Sequence, residues 1–342
     1  MKKNNLIKNK IYFLLQHEIG NKNVCLLDLP NYANPGDQLI WEGVEQALKD
    51  LKISVKYRAS LHFFNPKMIL KDDIIVLNGG GNFGDLYSKH QKFREYIINN
   101  FPKNKIIILS STIHFKNEKN LNISSKIFSK HPQLSICARD LESFKILKKK
   151  FKNNKIYLLS DMAFATKTLK NNHNAISKNM LFICREDSEL GLINKNSLNF
   201  IPNLVISDWP INNKNIFKTS LELLFISINK LILKIFNSAG LHWSSKFDIY
   251  GIIKFYSKES QINNAVNFVS KYNLIITTRL HGHILANLLG IPNILLDNSY
   301  GKNKNFFNTW MKNNIYNAHY AETPNDVKMI LKEHFPNIYN NN

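Results

Sequence analysis

The sequence predicts an α/β chain in two halves, each built on a mainly parallel sheet with helices on both faces. Three observations predict this. Short runs that are apolar from end to end, such as DIIVLN at 73–78 and NLIITTR at 273–279, recur along the chain. A strand buried on both faces reads this way, whereas a half-exposed strand alternates. Stretches with helical spacing separate these runs, as parallel pairing through crossover helices requires. Finally, one polar stretch, TKTLKNNHNAISKN at 166–179, interrupts the rhythm before it restarts. We place the division there. Residues 1–170 form the first half and 171–342 the second, which carries an apolar helical insertion at about 209–260. A length of 342 residues suits two domains of roughly 100–200 residues each.

Taken in order, MKKNNLIKNKIYFLLQHEIG (1–20) is basic with a short apolar stretch. It lacks the long apolar core and small-residue cleavage site of a secretory signal, so it reads as a first amphipathic helix. NVCLLDL (23–29) is a strand, followed by an NPGD turn and a helix from about Asp37 to Leu51. ISVKYRA (53–59) and DIIVLN (73–78) are strands, then comes a helix at roughly 88–100. KIIILSS (105–111) and LSICAR (134–139) are strands with a helix between them. DLESFKILKKKF (140–151) is a helix whose Lys148, Lys149 and Lys150 suit its carboxyl end. KIYLLSD (155–161) closes the first half. In the second half, MLFICR (180–185), LVISD (204–208), NLIITTR (273–279) and NILLDN (293–298) are strands. Helices are expected at 259–271, 282–290 and 325–334. The segment FKTSLELLFISINKLILKIF (217–236) is apolar and helical, but Glu222, Lys230 and Lys234 make it a poor bilayer span. It reads either as a core or interdomain helix or as one lying on a membrane surface or another subunit.

Lys and Arg number 46 against 25 Asp and Glu, a net charge of +21. Nucleic acid, an anionic membrane surface or a phosphorylated substrate would each answer that charge. The lysines are scattered, however, so a plain compositional bias accounts for it as well. No basic–aromatic RNA motif or helix-turn-helix pattern is visible, and no nucleic-acid partner is expected. Cys25, Cys137 and Cys184 lie in apolar runs without C-x-x-C spacing, as buried reduced thiols of a cytoplasmic protein would. No His, Cys and carboxylate cluster has ligand spacing, so no metal is expected.

Four constellations can carry chemistry. NYANPGDQLI (31–40) joins a strand to a helix. Asn34, Pro35 and Gly36 supply turn chemistry and Asp37 a cap or a hydroxyl ligand. LNGGGNFGDLY (77–87) follows another strand. Its Gly79, Gly80 and Gly81 allow close backbone approach, and with Asn82 they can cradle an anion or simply make a tight turn. Asp85 is either a second cap or a hydroxyl ligand. ITTRLHGHILANLLGIP (276–292) is the sharpest signal. Arg279 and His281 stand where a strand ends and a helix begins, the place where open α/β sheets gather ligands. Arg279 offers a planar fork for carboxylate or phosphate, and a histidine exchanges a proton near neutral pH. His283 has apolar neighbours and reads as packing. ICREDSE (183–189) puts Arg185 at another strand end, as a second anion clamp or a rim ion pair. SYGKNKNF (299–306) reads as a polar loop in which Lys302 and Lys304 either contact phosphate or are solvated, and SDMAF (160–164) places Asp161 at a further strand end.

The ordered set of N-x-G-D, GGGNFGD, a strand-end arginine, SDMAF, and TTRLHGHILANLLGIP followed by YGK resembles the polysaccharide pyruvyl transferase family from about Asn31 to Phe306. The resemblance implies two Rossmann-like lobes in a GT-B-like arrangement. It implies phosphoenolpyruvate as donor and co-substrate, with no resident cofactor. The acceptor would be a sugar of a cell-surface polysaccharide or its lipid-linked or nucleotide-linked precursor, and the product a cyclic pyruvate ketal. Carried onto this chain, the donor contacts are Arg279, Leu280 and His281, with Arg185, to which Lys302 is added as a phosphate contact. His281 would be the acid or would support the departing phosphate, and Asp37 or Asp85 would orient or deprotonate acceptor hydroxyls. The expected location is the cytoplasm, with a peripheral contact at the inner face of the membrane through 217–236. Two other readings stay open: a GT-B-like glycosyltransferase with a nucleotide-sugar donor, and a non-catalytic, membrane-associated partner in glycan assembly.

Overall fold

A computed structural model describes residues 2–169, 180–185, 189, 191, 193–210, 249–312 and 318–339. In the first half, β1 (Val24–Leu27), β2 (Val55–Ala59), β3 (Ile74–Leu77), β4 (Gly80–Gly84), β5 (Ile106–His114), β6 (Leu134–Ala138) and β7 (Lys155–Leu158) form one sheet. Their order is β2–β1–β3–β5–β6–β7, with β4 pairing beside β5. In the second half, β8 (Met180–Ile183), β9 (Val205–Ser207), β10 (Leu274–Thr277), β11 (Asn293–Leu296) and β12 (Ala318–Ala321) run in the order β12–β11–β10–β8–β9. Every pairing among the described strands is parallel. These are two Rossmann-like lobes in a GT-B-like arrangement. Strands β1, β3, β8, β10 and β11 are buried along their whole length, which is why they read as unbroken apolar runs.

Helices α1 (Lys2–Ile19), α2 (Pro35–Asp50), α3 (Ser88–Asn100), α4 (Glu118–Ser129) and α5 (Leu141–Lys150) belong to the first half. The second half holds α6 (Ile249–Val269), α7 (Leu280–Leu289), α8 (Lys302–Trp310) and α9 (Pro324–His334). Local chemistry sets their ends. Asn34 caps α2 by accepting from the Gly36 amide, with Pro35 in the first turn. Gly290 ends α7 in the left-handed region at φ 72°. Thr323 and Asp326 close a capping box on α9. The three cysteines are buried and unpaired with one another.

The halves meet through apolar contact rather than across open solvent. Helix α2 packs on α6, on α7 and on the 3-10 turn Met162–Ala165, and one buried cluster runs from Leu39 and Trp41 to Ile284 and Leu285. Within the first half, Gly43 lets α2 lie against that 3-10 turn: a Cβ there would lie 1.8 Å from the Met162 carbonyl oxygen.

The structure departs from the sequence reading in several places. The glycine-rich stretch is not only a turn, because Gly80–Gly84 pairs with β5 as a strand. Strand β12 was not anticipated, and α6 begins at Ile249 rather than 259. The stretch 299–306 is not a solvated loop. Gly301 at φ 78° and the Asn298 side chain, which accepts from the Lys302 amide, start α8 there. Phe306 and Phe307 then bury its inner face, and Lys302 is itself buried. Residues 170–179 of the polar stretch, Glu186, and the whole apolar segment 217–236 lie outside the described residues. Among the described residues no helix is long and apolar enough to cross a membrane.

A candidate active site between the two halves

Each sheet has a point where the chain order reverses, between β1 and β3 in the first and between β8 and β10 in the second. Crevices open at the carboxyl ends of strands at such points. A cavity of ≈ 290 Å3 lies there, lined from both halves. In the second sheet Ile183 is in register with Thr277, so the residues that follow, Arg185 and Arg279, flank the reversal. The Arg185 amide donates to Thr278 Oγ1 at 2.9 Å, which ties the two strand ends together.

His281 reaches back toward the first half. Its Nε2 lies 3.3 Å from Asp161 Oδ2, ion-pair distance without hydrogen-bond alignment. Asp161 is fully buried; it accepts from the Ala163 amide and from Arg139 Nη1 at 2.8 Å. Arg139 also donates to Thr112 Oγ1 through Nε and Nη2. Burial opposes a charge on Asp161, but the His281 and Arg139 charges outweigh it and hold the carboxyl well below the usual range. Strand ends at 138, 158 and 277 thus supply one chain of contacts, Arg139–Asp161–His281.

Along the neighbouring wall, the Glu189 carboxylate collects several donors. Arg185 Nη1 donates to it at 2.6 Å, the Tyr87 hydroxyl at 2.8 Å, and Lys302 Nζ pairs with it as well. One carboxylate shared by two cations leaves a net positive charge. Burial pulls the Lys302 ammonium down to about 8 although Glu189 opposes it. Burial likewise disfavours the Glu189 carboxylate, but Lys302 and Arg185 outweigh it and lower it to about 2. Arg279 grips Asp208 through Nε and Nη2, a bidentate pair at the rim. Where Gly81 faces the cavity, a Cβ would lie 3.7 Å from Lys302 Nζ and 3.8 Å from Arg139 Nη2.

The first half supplies the opposite wall. Asp37 Oδ2 accepts from the Tyr32 hydroxyl at 2.9 Å and from Asn34 Nδ2 at 2.7 Å. Gly80, at φ 128°, faces this carboxylate: a Cβ there would lie 3.7 Å from Asp37 Oδ1. Asn82 lines the cavity, and its side-chain oxygen accepts from buried Arg94 at 2.9 Å.

Of the residues singled out in the sequence, Asn34, Asp37, Gly81, Asn82, Arg185, Arg279, Leu280, His281 and Lys302 line this one cavity. Gly36 stands behind His281, and Gly79 packs against the Ser110 carbonyl instead of facing a ligand. Asp85 does not line the cavity. Its carboxylate accepts from the Lys116 and Asn117 amides at 2.8 and 2.9 Å, so it pins the chain just ahead of α4, which Asn117 caps. His283 is fully buried between Asn293 and Asn287, and burial lowers it to about 4. Sequence reasoning missed Tyr32, Tyr87, His90, Arg139, Glu189 and Trp209. For Arg139 a signal existed, since a charged residue closes the apolar run LSICA. Among the described residues no group of three His, Cys, Asp or Glu side chains is arranged to hold a metal ion.

A model of the polysaccharide pyruvyl transferase family matches residues 34–300. The chain is 35% identical over 309 residues to a Bacillus subtilis protein named as pyruvyl transferase EpsO, covering 90% of this chain and 91% of that one. It is 27% identical over 328 residues to pyruvyl transferase 1 of Schizosaccharomyces pombe, covering 90% and 74%. In structure it is similar to a functionally uncharacterised protein from Klebsiella pneumoniae, with a TM-score of 0.59, 21% identity, and 93% and 99% of the two chains covered. That last likeness bears on the fold alone.

Proposed function

Because the chain belongs to the polysaccharide pyruvyl transferase family, we propose that it moves the pyruvyl group of phosphoenolpyruvate onto two hydroxyls of one sugar as a cyclic ketal. The observation that carries this reading is the arrangement of charge. Arg139, Arg185, Arg279 and Lys302 converge on one small cavity, and His281 stands among them on a carboxylate. Phosphoenolpyruvate carries a carboxylate and a phosphate on one short skeleton. Arg279 and Arg185, forks on either side of the strand reversal, answer these two groups, and Lys302 adds a point charge for phosphate.

For the ketal to form, C3 of the enol takes a proton and C2 becomes cationic. His281, polarised by Asp161, donates that proton. A sugar hydroxyl adds to C2, the C2–O bond to phosphate breaks, and a second hydroxyl adds in its place. Asp37 lies on the facing wall, where its carboxylate orients the acceptor hydroxyls. The enzyme needs no resident cofactor in this scheme. The acceptor is a polysaccharide sugar or its lipid-linked or nucleotide-linked precursor, met in the cytoplasm or at the inner membrane face.

Calorimetry with phosphoenolpyruvate, UDP-glucose and GDP-mannose tests the donor. Binding of phosphoenolpyruvate is expected, whereas binding of a nucleotide sugar instead would replace this reading with a glycosyl transfer. Mass spectrometry of the surface glycan from cells with and without the gene tests the product. A pyruvate ketal that survives loss of the gene rejects the assignment.

A further inference from the structure

A second histidine–carboxylate pair faces the same cavity from the opposite half. His90, on the first turn of α3, lines the cavity, and its Nδ1 lies 2.7 Å from Asp28 Oδ1. Asp28 is a buried residue immediately after β1, at the strand reversal of the first sheet. Its backbone is in the left-handed region at φ 60°, one of three non-glycine residues so placed among those described. That conformation is uncommon for a residue with a Cβ, and aspartate is one of the few types that enter it readily. The other carboxylate oxygen lies 3.4 Å from Nη2 of Arg94, a fully buried guanidinium that also donates to Asn82 and Gln91. The Tyr32 ring stands edge-on to His90, 6.2 Å between centroids.

The arrangement assigns the ring nitrogens. In a neutral imidazole that gives its Nδ1 proton to this buried carboxylate, the lone pair stands on Nε2, for which no hydrogen bond is formed among the described residues. An imidazole oriented by a carboxylate, with its other nitrogen toward a cavity, is the constellation of a general base. We propose that His90 is the base that takes the proton from the acceptor hydroxyl attacking C2, and that Asp28, held by Arg94, is its positioning residue. The proposal rests on the pyruvyl-transfer reading above.

The proton balance closes with two histidines. His281 gives a proton to C3, which becomes a methyl group. His90 takes the proton of the first hydroxyl as its oxygen bonds to C2. The C2–O bond to phosphate then breaks, with the electron pair leaving on phosphate. The second hydroxyl adds to C2, and its proton passes to the departing phosphate. Exchange with solvent removes the proton from His90 and restores the one on His281. Of the two hydroxyl protons, one is thereby accounted for on C3 and one on phosphate, with no oxidant or reductant required.

The test uses the full chain, with phosphoenolpyruvate as donor and a panel of methyl hexopyranosides as acceptors. Phosphate release gives turnover, and calorimetry gives donor binding. We expect His90→Gln to lower kcat by about 10²–10⁴-fold, the usual contribution of one acid or base, with phosphoenolpyruvate binding unchanged. Added imidazole should restore part of the rate to His90→Ala, which a merely structural histidine would not show. Asp28→Asn should lower kcat more than it raises KM. A folded His90→Gln with wild-type turnover, or His90→Ala deaf to imidazole, overturns the proposal. A wild-type protein that neither binds phosphoenolpyruvate nor releases phosphate overturns the underlying reading instead.

Discussion

The Cα of Gly36 faces the ring of His281 so closely that a Cβ in its place would lie 2.5 Å from Nδ1 and 2.7 Å from Cγ. The amino end of α2, from the first half, therefore sets the orientation of a strand-end histidine from the second. We expect Gly36→Ala to fold, because alanine suits a helix, but to push the imidazole off Asp161. A displacement of this order costs up to about 10²-fold in rate. Turnover near wild type in a folded variant, checked by circular dichroism, would show that the ring has room to move.

His281→Ala should lower kcat by about 10²–10⁴-fold without loss of the fold. Phosphoenolpyruvate should still bind, since the arginines remain. Asp161→Asn should resemble it in rate but also unfold at lower temperature, because Arg139 would keep a buried charge without its carboxylate. Scanning calorimetry separates the two variants.

Arg279→Lys keeps the charge and loses the fork that now spans both Asp208 oxygens. A hydrogen bond to a charged group contributes about 1.5–3 kcal/mol, so donor affinity should fall about ten- to hundredfold. Isothermal titration measures it directly, and an unchanged Kd removes Arg279 from the donor site.

Lys302 gives the donor site a pH dependence. Burial lowers its ammonium to about 8. The charge is present below that pH and is lost as pH rises through it, so phosphoenolpyruvate affinity should decline above about 8. Lys302→Met should bind more weakly at pH 7 and lack that step. A wild-type affinity that stays level from pH 7 to pH 9.5 contradicts the assignment.

Far from the cavity, Glu18 ties α1 to the first sheet. It accepts from Ser135 at 2.8 Å and Tyr157 at 2.6 Å and pairs with Lys105. Burial disfavours its charge, yet these partners lower the carboxyl from 4.5 to about 2. A lowered carboxyl contributes stability that is complete above the unfolded value and disappears as pH falls toward the folded one. Urea unfolding should therefore show the wild type losing more stability than Glu18→Gln between pH 5 and pH 2.5. Equal losses would mean the ion pair does not outlast solvent competition.

Much of this molecule could be read from local pattern. Strands buried on both faces are apolar at every position, so β1, β3, β8 and β10 were visible as unbroken runs. Arg279 and His281 stood out because two polar side chains closed such a run. The Asn34–Pro35–Gly36–Asp37 turn was equally plain, since caps depend on the residues next to them. Partnership across the fold is another matter. Asp85 looked as available as Asp37, but tertiary contact delivered the Lys116 and Asn117 amides to it and took it out of the cavity. Lys302 read either as a phosphate contact or as a solvated residue, and it was α8 that buried it against Glu189. Arg139, Asp161 and His281 come from three strands, and Asp28 and His90 are 62 residues apart. A residue type and its neighbours determine burial, turns and caps, because those interactions act over a few positions. Which strand end stands beside which is decided only when the sheets pair and the two halves close on each other, because only then do distant charges share one low-dielectric cavity and acquire their roles.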